Sequence, residues 1–299
     1  PQTITSLTFG DKFNQPIRLG QLPSSLTHLE LGYRFNSTIE QGSLPAVLRS
    51  LSFGMEFKGP LTPGSLPPSL QSLDVEQSRN IRDTIVAGSL PPSIKKLIIL
   101  INMKLGIDPG SLPQSLQTLI INGTTNLVLG EGILPPSLTE LSFPRIGHLT
   151  IIGANSVPSN LRWITIQNIH HIKYFEHLTQ IEQVEFSEPC LISGRHLYPN
   201  VLYTTTIRCN ILKITVERVN ISTVKSKSRF ANQEEIYHVV SKVILAAPNV
   251  GTYMVDHCNA FPNFTYYFRV IDDHNVMIVR PNFTFKFITL LELHNNKVI

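Results

Sequence analysis

The dipeptide Leu-Pro recurs through the first half of the chain at nearly constant intervals. It begins at Leu22, Leu44, Leu66, Leu90, Leu112 and Leu134, and Val157 with Pro158 is a seventh variant. Successive copies are separated by 22, 22, 24, 22, 22 and 23 residues. A fixed period of about 20 to 29 residues indicates one small structural unit that is stacked repeatedly on copies of itself.

Apolar residues follow the same period in the pattern Leu-x-x-Leu-x-Phe, first seen complete at Leu26, Leu29 and Leu31. Its last two residues are two apart, which is the spacing of inward side chains on a β-strand. A further apolar residue follows eight positions later and is predicted to anchor the returning side of each coil. These anchors are Ile17, Ile39, Leu61, Ile107, Leu129, Ile151 and Tyr174, with Ile85 displaced by a two-residue insertion.

Turn-forming residues separate the apolar segments. A glycine precedes each Leu-Pro by two residues, as Gly20 does, and a serine such as Ser25 precedes the first leucine of most strands. We expect the glycines to adopt backbone conformations that other residues avoid, and the serine hydroxyls to satisfy backbone amides. One unit buries too few side chains to fold alone. The sequence therefore predicts a mostly β, leucine-rich-repeat-like parallel β solenoid with coils of about 22 residues.

The first three units resemble the FNIP repeat, a relative of the leucine-rich repeat. The resemblance rests on Phe13-Asn14-x-Pro16-Ile17 and on the corresponding residues Gly32, Phe35, Asn36, Ile39, Gly54, Phe57, Pro60 and Leu61. It extends over about residues 1–175. The asparagine is kept at Asn14, Asn36, Asn80 and Asn126 and is replaced by Lys58, Lys104, His148 and His171. The resemblance implies that this asparagine satisfies backbone groups along the coil. It also implies a repeat without catalytic activity, in proteins that often carry an F-box or a kinase.

Two regions are predicted, a solenoid over residues 1–186 and a mixed α+β cap or small region over 187–299. Ile181, Val184 and Phe186 have the spacing of a ninth strand. In the cap, apolar spacing after Asn232 predicts one helix near residues 233–246. Strands at Thr265–Val270 and Val276–Val279 predict a hairpin near residues 265–280, and Phe283–Leu293 can add a further strand.

Charge and cysteine content exclude several classes of protein. The net charge is +4, and the densest basic cluster, Lys225, Lys227 and Arg229, alternates with serines and is interpreted as a solvated loop. We therefore expect no nucleic-acid partner. No run of 18 apolar residues occurs, so membrane insertion is not expected. Cys190, Cys209 and Cys258 are predicted to be reduced thiols in a cytoplasmic protein. Because Pro1 stands inside a repeat, we expect sequence upstream of it.

The chain contains no motif that predicts a reaction, and we predict no catalytic, cofactor-binding or metal-binding residues. His170, His171 and His177 lie near Glu176, but adjacent strand residues point apart and do not form a metal site. Asp272, Asp273 and His274 are typical of a hairpin turn. An enzyme with its site in residues 187–299 is the least favoured hypothesis, because nothing there has the pattern of an active site.

The outward strand residues should form a continuous ribbon on the concave side of the solenoid, which suits recognition of a protein partner. The candidate binding residues are His28, Glu30, Asp74, Lys95, Lys96, Arg162 and Trp163. Trp163 is either a binding anchor or a residue that packs on a neighbouring coil. The favoured function is an interaction scaffold or substrate-recognition module of a larger protein. The alternative is a secreted or cell-surface glycoprotein, for which the sequence offers sequons at Asn36, Asn122, Asn220, Asn263 and Asn282.

Overall fold

The structure is a computed structural model. It describes residues 3–75, 85, 87–100, 107–123, 126–146, 148–153, 155–167, 169–175, 177–186, 209–217, 250–258, 264–270, 275–279 and 285–289. The helix predicted at 233–246, the basic cluster at 225–229 and the acidic turn at 272–274 lie outside these residues. The chain divides into two compact units, Pro1–Leu161 and Arg162–Ile299. The boundary at residue 186 stays a prediction.

The first unit contains nine short strands. They are β1 (Ser6–Thr8), β2 (His28–Glu30), β3 (Ser50–Ser52), β4 (Ser72–Val75), β5 (Lys96–Leu100), β6 (Thr118–Asn122), β7 (Asn126–Leu129), β8 (Glu140–Arg145) and β9 (His148–Ile151). Strands β1 to β6 and β8 are neighbours in that order, and all of their pairings are parallel. Each neighbour is the next repeat along the chain, so the predicted parallel β solenoid with coils of about 22 residues is confirmed.

The central leucines of the repeat form one row through the core. Leu29 is in register with Leu51, Leu51 with Leu73, and Leu73 with Leu97. These four side chains are 0% to 3% exposed, and Leu119 and Leu141 continue the row at 0%. The residues two positions later, including Leu31, Phe53 and Phe143, are buried beside them. Because an inward side chain occurs at every second residue, the period seen in the sequence is the period of burial.

The returning side of the coils carries a second, shorter set of pairings. Strands β7 and β9 form a parallel two-stranded sheet, and Ile85 bridges to Ile107. Most predicted anchors of this side are buried, whereas Leu61, Ile151 and Tyr174 are half-buried. Each coil therefore points apolar residues inward from both its β-strand and its returning side.

Side chains also connect one coil to the next. Ser25 Oγ donates to the Ile4 carbonyl at 2.8 Å, and Ser69 and Ser137 donate to carbonyls of their preceding coils at 2.7 and 2.6 Å. The expectation that these hydroxyls satisfy backbone amides was wrong. The amides nearby, such as Leu26 N–H, are already bonded to carbonyls within the same turn, so the hydroxyl proton goes to the carbonyl of the adjacent coil.

The FNIP asparagine has the role that the resemblance implies in the first coils. Asn14 Oδ1 accepts the backbone N–H of Asn36 at 2.9 Å, and Asn36 Oδ1 accepts that of Lys58 at 2.8 Å. A serine not singled out in the sequence is buried at the following turn. Ser43, Ser65 and Ser111 are each 3% exposed and donate to the carbonyl three residues earlier.

Glycine occupies two positions of the repeat for different structural reasons. The glycines before Leu-Pro, from Gly20 to Gly132, have φ values between 77° and 84°, which confirms their predicted backbone conformation. Gly32 instead lies directly against the preceding coil, and a Cβ at this position would be 2.2 Å from the Gly10 carbonyl oxygen. Gly10 itself has open space on this side.

Gly32→Ala is expected to destabilise the protein by about 1–3 kcal/mol, because the added methyl group displaces the backbone of the adjacent coil. Gly10→Ala is the matched control and should leave stability within about 0.5 kcal/mol of the wild type. The midpoint of urea unfolding followed by circular dichroism measures both. Equal midpoints for the two variants would contradict the close backbone packing.

The second unit begins with β10 (Trp163–Ile166), a 3₁₀ helix (Ile169–Tyr174) and β11 (Ile181–Phe186). It continues with β12 (Cys209–Glu217), β13 (Val250–Cys258), β14 (Phe264–Val270), β15 (Asn275–Val279) and β16 (Phe285–Thr289). Pairings from β10 to β13 are parallel and those from β13 to β16 antiparallel. The ninth strand is present as β11, with Val184 opposite Ile164. Strands β12 and β13 were not predicted, whereas β14 to β16 lie where the hairpin and the additional strand were predicted.

Candidate protein-interaction surface

One face of the main sheet of the first unit presents a different set of side chains in each coil. We define the strand ribbon as the residues two and one positions before the central inward residue and the residue after it, in β1 to β6 and β8. In chain order these are Thr5, Ser6, Thr8, Thr27, His28, Glu30, Arg49, Ser50, Ser52, Gln71, Ser72, Asp74, Lys95, Lys96, Ile98, Gln117, Thr118, Ile120, Thr139, Glu140 and Ser142. All are exposed or half-buried except Ser142, which is buried. The ribbon varies while the inward row stays apolar.

Five predicted binding residues lie on this ribbon. Asp74 is half-buried on β4, while Lys95 and Lys96 are exposed on or just before the neighbouring β5. His28 and Glu30 are exposed on β2, two strands before β4 and therefore about 10 Å from Asp74. The structure thus brings Asp74 and the two lysines together and leaves His28 and Glu30 as a separate pair. The binding role of all five stays a prediction.

Arg162 and Trp163 belong to the second unit. Arg162 Nη1 lies 2.6 Å from Glu182 Oε1, and these side chains are 48% and 38% exposed. Such an exposed pair contributes only about 0–1 kcal/mol to stability. Trp163 begins β10 and keeps 42% of its surface exposed. Its ring is therefore accessible in part.

The sequence interpretation missed an apolar group on the ribbon. Ile98 and Ile120 are in register on β5 and β6, and both are half-buried at an outward position. Leu100 is the next outward residue of β5 and is also half-buried. The sequence signal for this group is the run of four apolar residues that follows Lys96 in β5. Such a run places apolar side chains on both faces of the strand. The repeat pattern describes only the inward positions, so it gives no role to Ile98 and Ile120.

A groove of about 460 Å³ lies at the first coil and does not resemble an active site. It is lined by Phe9, Phe13, Gln15, Pro16, Ile17, Arg18, Gln21 and Leu22. Its aromatic residues are the counterparts of Leu31 and Phe35 in the next coil, which are 2% and 0% exposed. The groove is therefore lined by side chains whose counterparts are buried in the core of the next coil.

The histidines considered as metal ligands differ in their surroundings. His171 is 8% exposed within the 3₁₀ helix, and His177 is exposed. Within the described ranges, no three His, Cys, Asp or Glu side chains are grouped so that they could hold a metal ion. In the same part of the chain, no helix has the length and apolar character needed to cross a membrane.

The coil geometry and the residues on it agree with a comparison with known families. The FNIP repeat matches residues 1–34, 35–76, 83–124 and 102–145. The chain contains FNIP repeats. The matched segments cover the strands β1 to β6 and β8, so the resemblance noted at Phe13, Asn14 and Ile17 is shown up to residue 145. Its extension to about residue 175 stays a prediction.

Among solved structures, the chain is similar to CroV588, which is described as a novel circular leucine-rich-repeat protein. The identity is 25%, the TM-score is 0.49, and the match covers 75% of this chain and 36% of CroV588. The chain thus spans about a third of the length of that protein. It is also similar to the leucine-rich-repeat-containing protein LegL7 from Legionella pneumophila, with 15% identity, a TM-score of 0.41 and coverage of 87% and 85%. Comparison with curated proteins gives no significant match.

Some ribbon side chains bond to the adjacent coil, as Thr118 Oγ1 does to Glu140 Oε2 at 3.0 Å. The side chain of Lys96 is exposed and makes no such bond among the described residues, so it can be changed at little structural cost. Lys96→Ser should alter the free energy of unfolding by less than about 0.5 kcal/mol, since Ser50 and Ser72 occupy the same position in other coils. Leu97→Ala, one residue away, should cost about 2–5 kcal/mol because its side chain is 0% exposed. Urea unfolding compares the two variants. A large loss for Lys96→Ser would show that the ribbon is structural.

Proposed function

We propose that this repeat protein is a non-catalytic interaction scaffold, and that the strand ribbon of its first unit binds a segment of a partner protein. The observation that supports the proposal is the contrast between the two faces of the same strands. The inward row is leucine in six successive coils from Leu29 to Leu141, whereas the outward positions carry hydroxyl, acidic, basic and apolar side chains in turn. Folding requires the first set, whereas the second set contributes only some side-chain hydrogen bonds between coils, such as that from Thr8 to Glu30.

The rigidity of the sheet supports a binding role for these positions. In the inner strands, a ribbon side chain starts from a backbone that is hydrogen-bonded to both neighbouring coils, as Lys95 is through Gln71 and Gln117. A surface of this kind loses little conformational freedom on binding, which leaves more of the contact energy for affinity. Substrate recognition for an F-box or kinase elsewhere in the same protein, as the FNIP resemblance implies, is the form of scaffold that we favour.

A cytoplasmic location is part of the proposal. Cys209 is at the start of β12 and Cys258 at the end of β13. Cys209 is in register with Val250, so the second cysteine lies eight residues along the strand, roughly 26 Å away. A disulfide requires Cα atoms within about 7 Å, so this pair cannot form one. The lack of a bond between these two cysteines fits the proposed reducing compartment.

The proposal predicts that charge reversal on the ribbon changes partner binding while the same change elsewhere does not. Glu30→Lys with Lys96→Glu keeps the net charge constant, as does the control Glu40→Lys with Lys58→Glu at exposed positions outside the ribbon. Partners captured from cell extract by each protein are quantified by mass spectrometry. We expect the ribbon variant to lose about tenfold or more of a partner that the control retains. An identical set of partners for all three proteins would contradict the proposal.

A secreted or cell-surface glycoprotein is the second candidate, and one observation favours it. Asn36 lies in a sequon and is exposed. By contrast, Asn122 is 4% exposed within β6, where a glycan has no room. Expression through a secretory pathway, followed by peptide mass analysis, distinguishes the candidates. If the protein enters that pathway naturally, glycan mass is expected on Asn36 and not on Asn122. An unmodified Asn36 would argue against this candidate.

A further inference from the structure

The ribbon changes character at the fifth and sixth coils. At the position after the central leucine, the other strands carry Thr8, Glu30, Ser52, Asp74 and Ser142, whereas β5 and β6 carry Ile98 and Ile120. These two isoleucines are directly opposite each other, and Leu100 extends the group along β5. We call Ile98, Leu100 and Ile120 the apolar patch. Strand formation does not require apolar residues at this position, because hydroxyl and carboxylate residues serve in the other coils.

Two cations stand beside the apolar patch. Lys96 is two residues before Ile98 on the same face of β5, roughly 7 Å along the strand, and Lys95 precedes it. Both lysines are exposed. Their immediate neighbours in the adjacent coils are neutral, namely Gln71 and Gln117 for Lys95, and Ser72 and Thr118 for Lys96.

The charge of these lysines is only partly balanced by the surrounding protein. Among the residues that the structure describes, neither lysine side chain forms an ion pair. Asp74 is diagonal to Lys96, since it is opposite Ile98, and is the nearest carboxylate in the register. The two lysines and this carboxylate leave one net positive charge. At a distance of two coils, Arg49 on one side and Glu140 on the other offset each other.

We propose that the fifth and sixth coils bind an extended protein segment in which a large apolar residue lies two or three residues from an aspartate or glutamate. The apolar side chain packs on Ile98 and Ile120, and the carboxylate is held by Lys95 and Lys96. The match is one of spacing as well as charge, because side chains two apart on an extended segment are separated by roughly 7 Å, as Lys96 and Ile98 are. This inference rests on the proposed scaffold function and specifies its partner.

A peptide library tests the inference even while the natural partner is unidentified. Random peptides of roughly 12 residues, about 40 Å when extended, are displayed on phage and selected on the whole protein, and the selected sequences are compared with the starting library. We expect enrichment of Asp or Glu near Leu, Ile or Phe. Selection of basic or purely polar sequences, or no enrichment, would overturn the inference.

Variants then locate the binding. Selected peptides, labelled for fluorescence anisotropy, should bind about tenfold more weakly to Lys95→Glu with Lys96→Glu, and similarly to Ile98→Thr with Ile120→Thr. Threonine preserves strand formation, since Thr8 occupies the same position in β1. Matched controls are Lys12→Glu with Lys58→Glu, and Val47→Ser with Val128→Ser, which alter exposed lysines and valines elsewhere. The control variants should bind the selected peptides with an affinity within about twofold of the wild type.

The outcomes separate this inference from the scaffold proposal. Selected peptides that are not acidic, but that lose binding in the ribbon variants, would overturn the inference and leave the ribbon as the binding surface. Peptides that bind all ribbon variants equally would contradict both. Phosphatidylserine vesicles and polyuridine RNA are tested as negatively charged ligands that are not proteins. Binding of either one through the lysines, without selection of acidic peptides, would overturn the inference.

Discussion

Parallel, in-register stacking of identical coils is the constraint from which the other features of the first unit follow. Each strand obtains its hydrogen-bond partners from the coils before and after it, and each coil covers the apolar interior of its neighbour. A residue therefore has the same surroundings as its counterpart one repeat later. The close approach at Gly32, the hydroxyl bond of Ser25 and the amide bond of Asn14 each connect adjacent coils. These interactions explain why residues other than the leucines follow the repeat.

The same constraint determines how much could be predicted from the sequence. Burial has a strict position in each coil, so the period of the leucines gave the inward row, the strands and the returning side. The direction of the serine hydroxyl could not be predicted, because it depends on which backbone groups the neighbouring coil leaves unbonded. Strands β12 and β13 could not be predicted either. Val184 pairs with Leu212 and Leu212 with Tyr253, so successive strands are further apart in sequence and their spacing is no longer constant.

Prediction of the candidate surface was less complete for a physical reason. Outward positions were recognised by their charges, and this identified His28, Glu30, Asp74, Lys95 and Lys96. An isoleucine at an outward position cannot be recognised in this way, since β-branched residues also favour strands and core positions. Only the register shows that Ile98 and Ile120 meet on the exposed face. Likewise, the ion pair between Arg162 and Glu182 depends on the pairing of β10 with β11, which the sequence suggested without giving the register.

The stacked geometry of the first unit suits the proposed recognition of an extended segment. Ribbon side chains form a lattice in which neighbouring strands are roughly 5 Å apart, and positions two apart on one strand, such as Lys96 and Ile98, are roughly 7 Å apart. An extended segment has side chains at the same 7 Å interval, so it can contact several lattice points at once. Its affinity then comes mainly from apolar contacts, and its selectivity from the charges placed beside them.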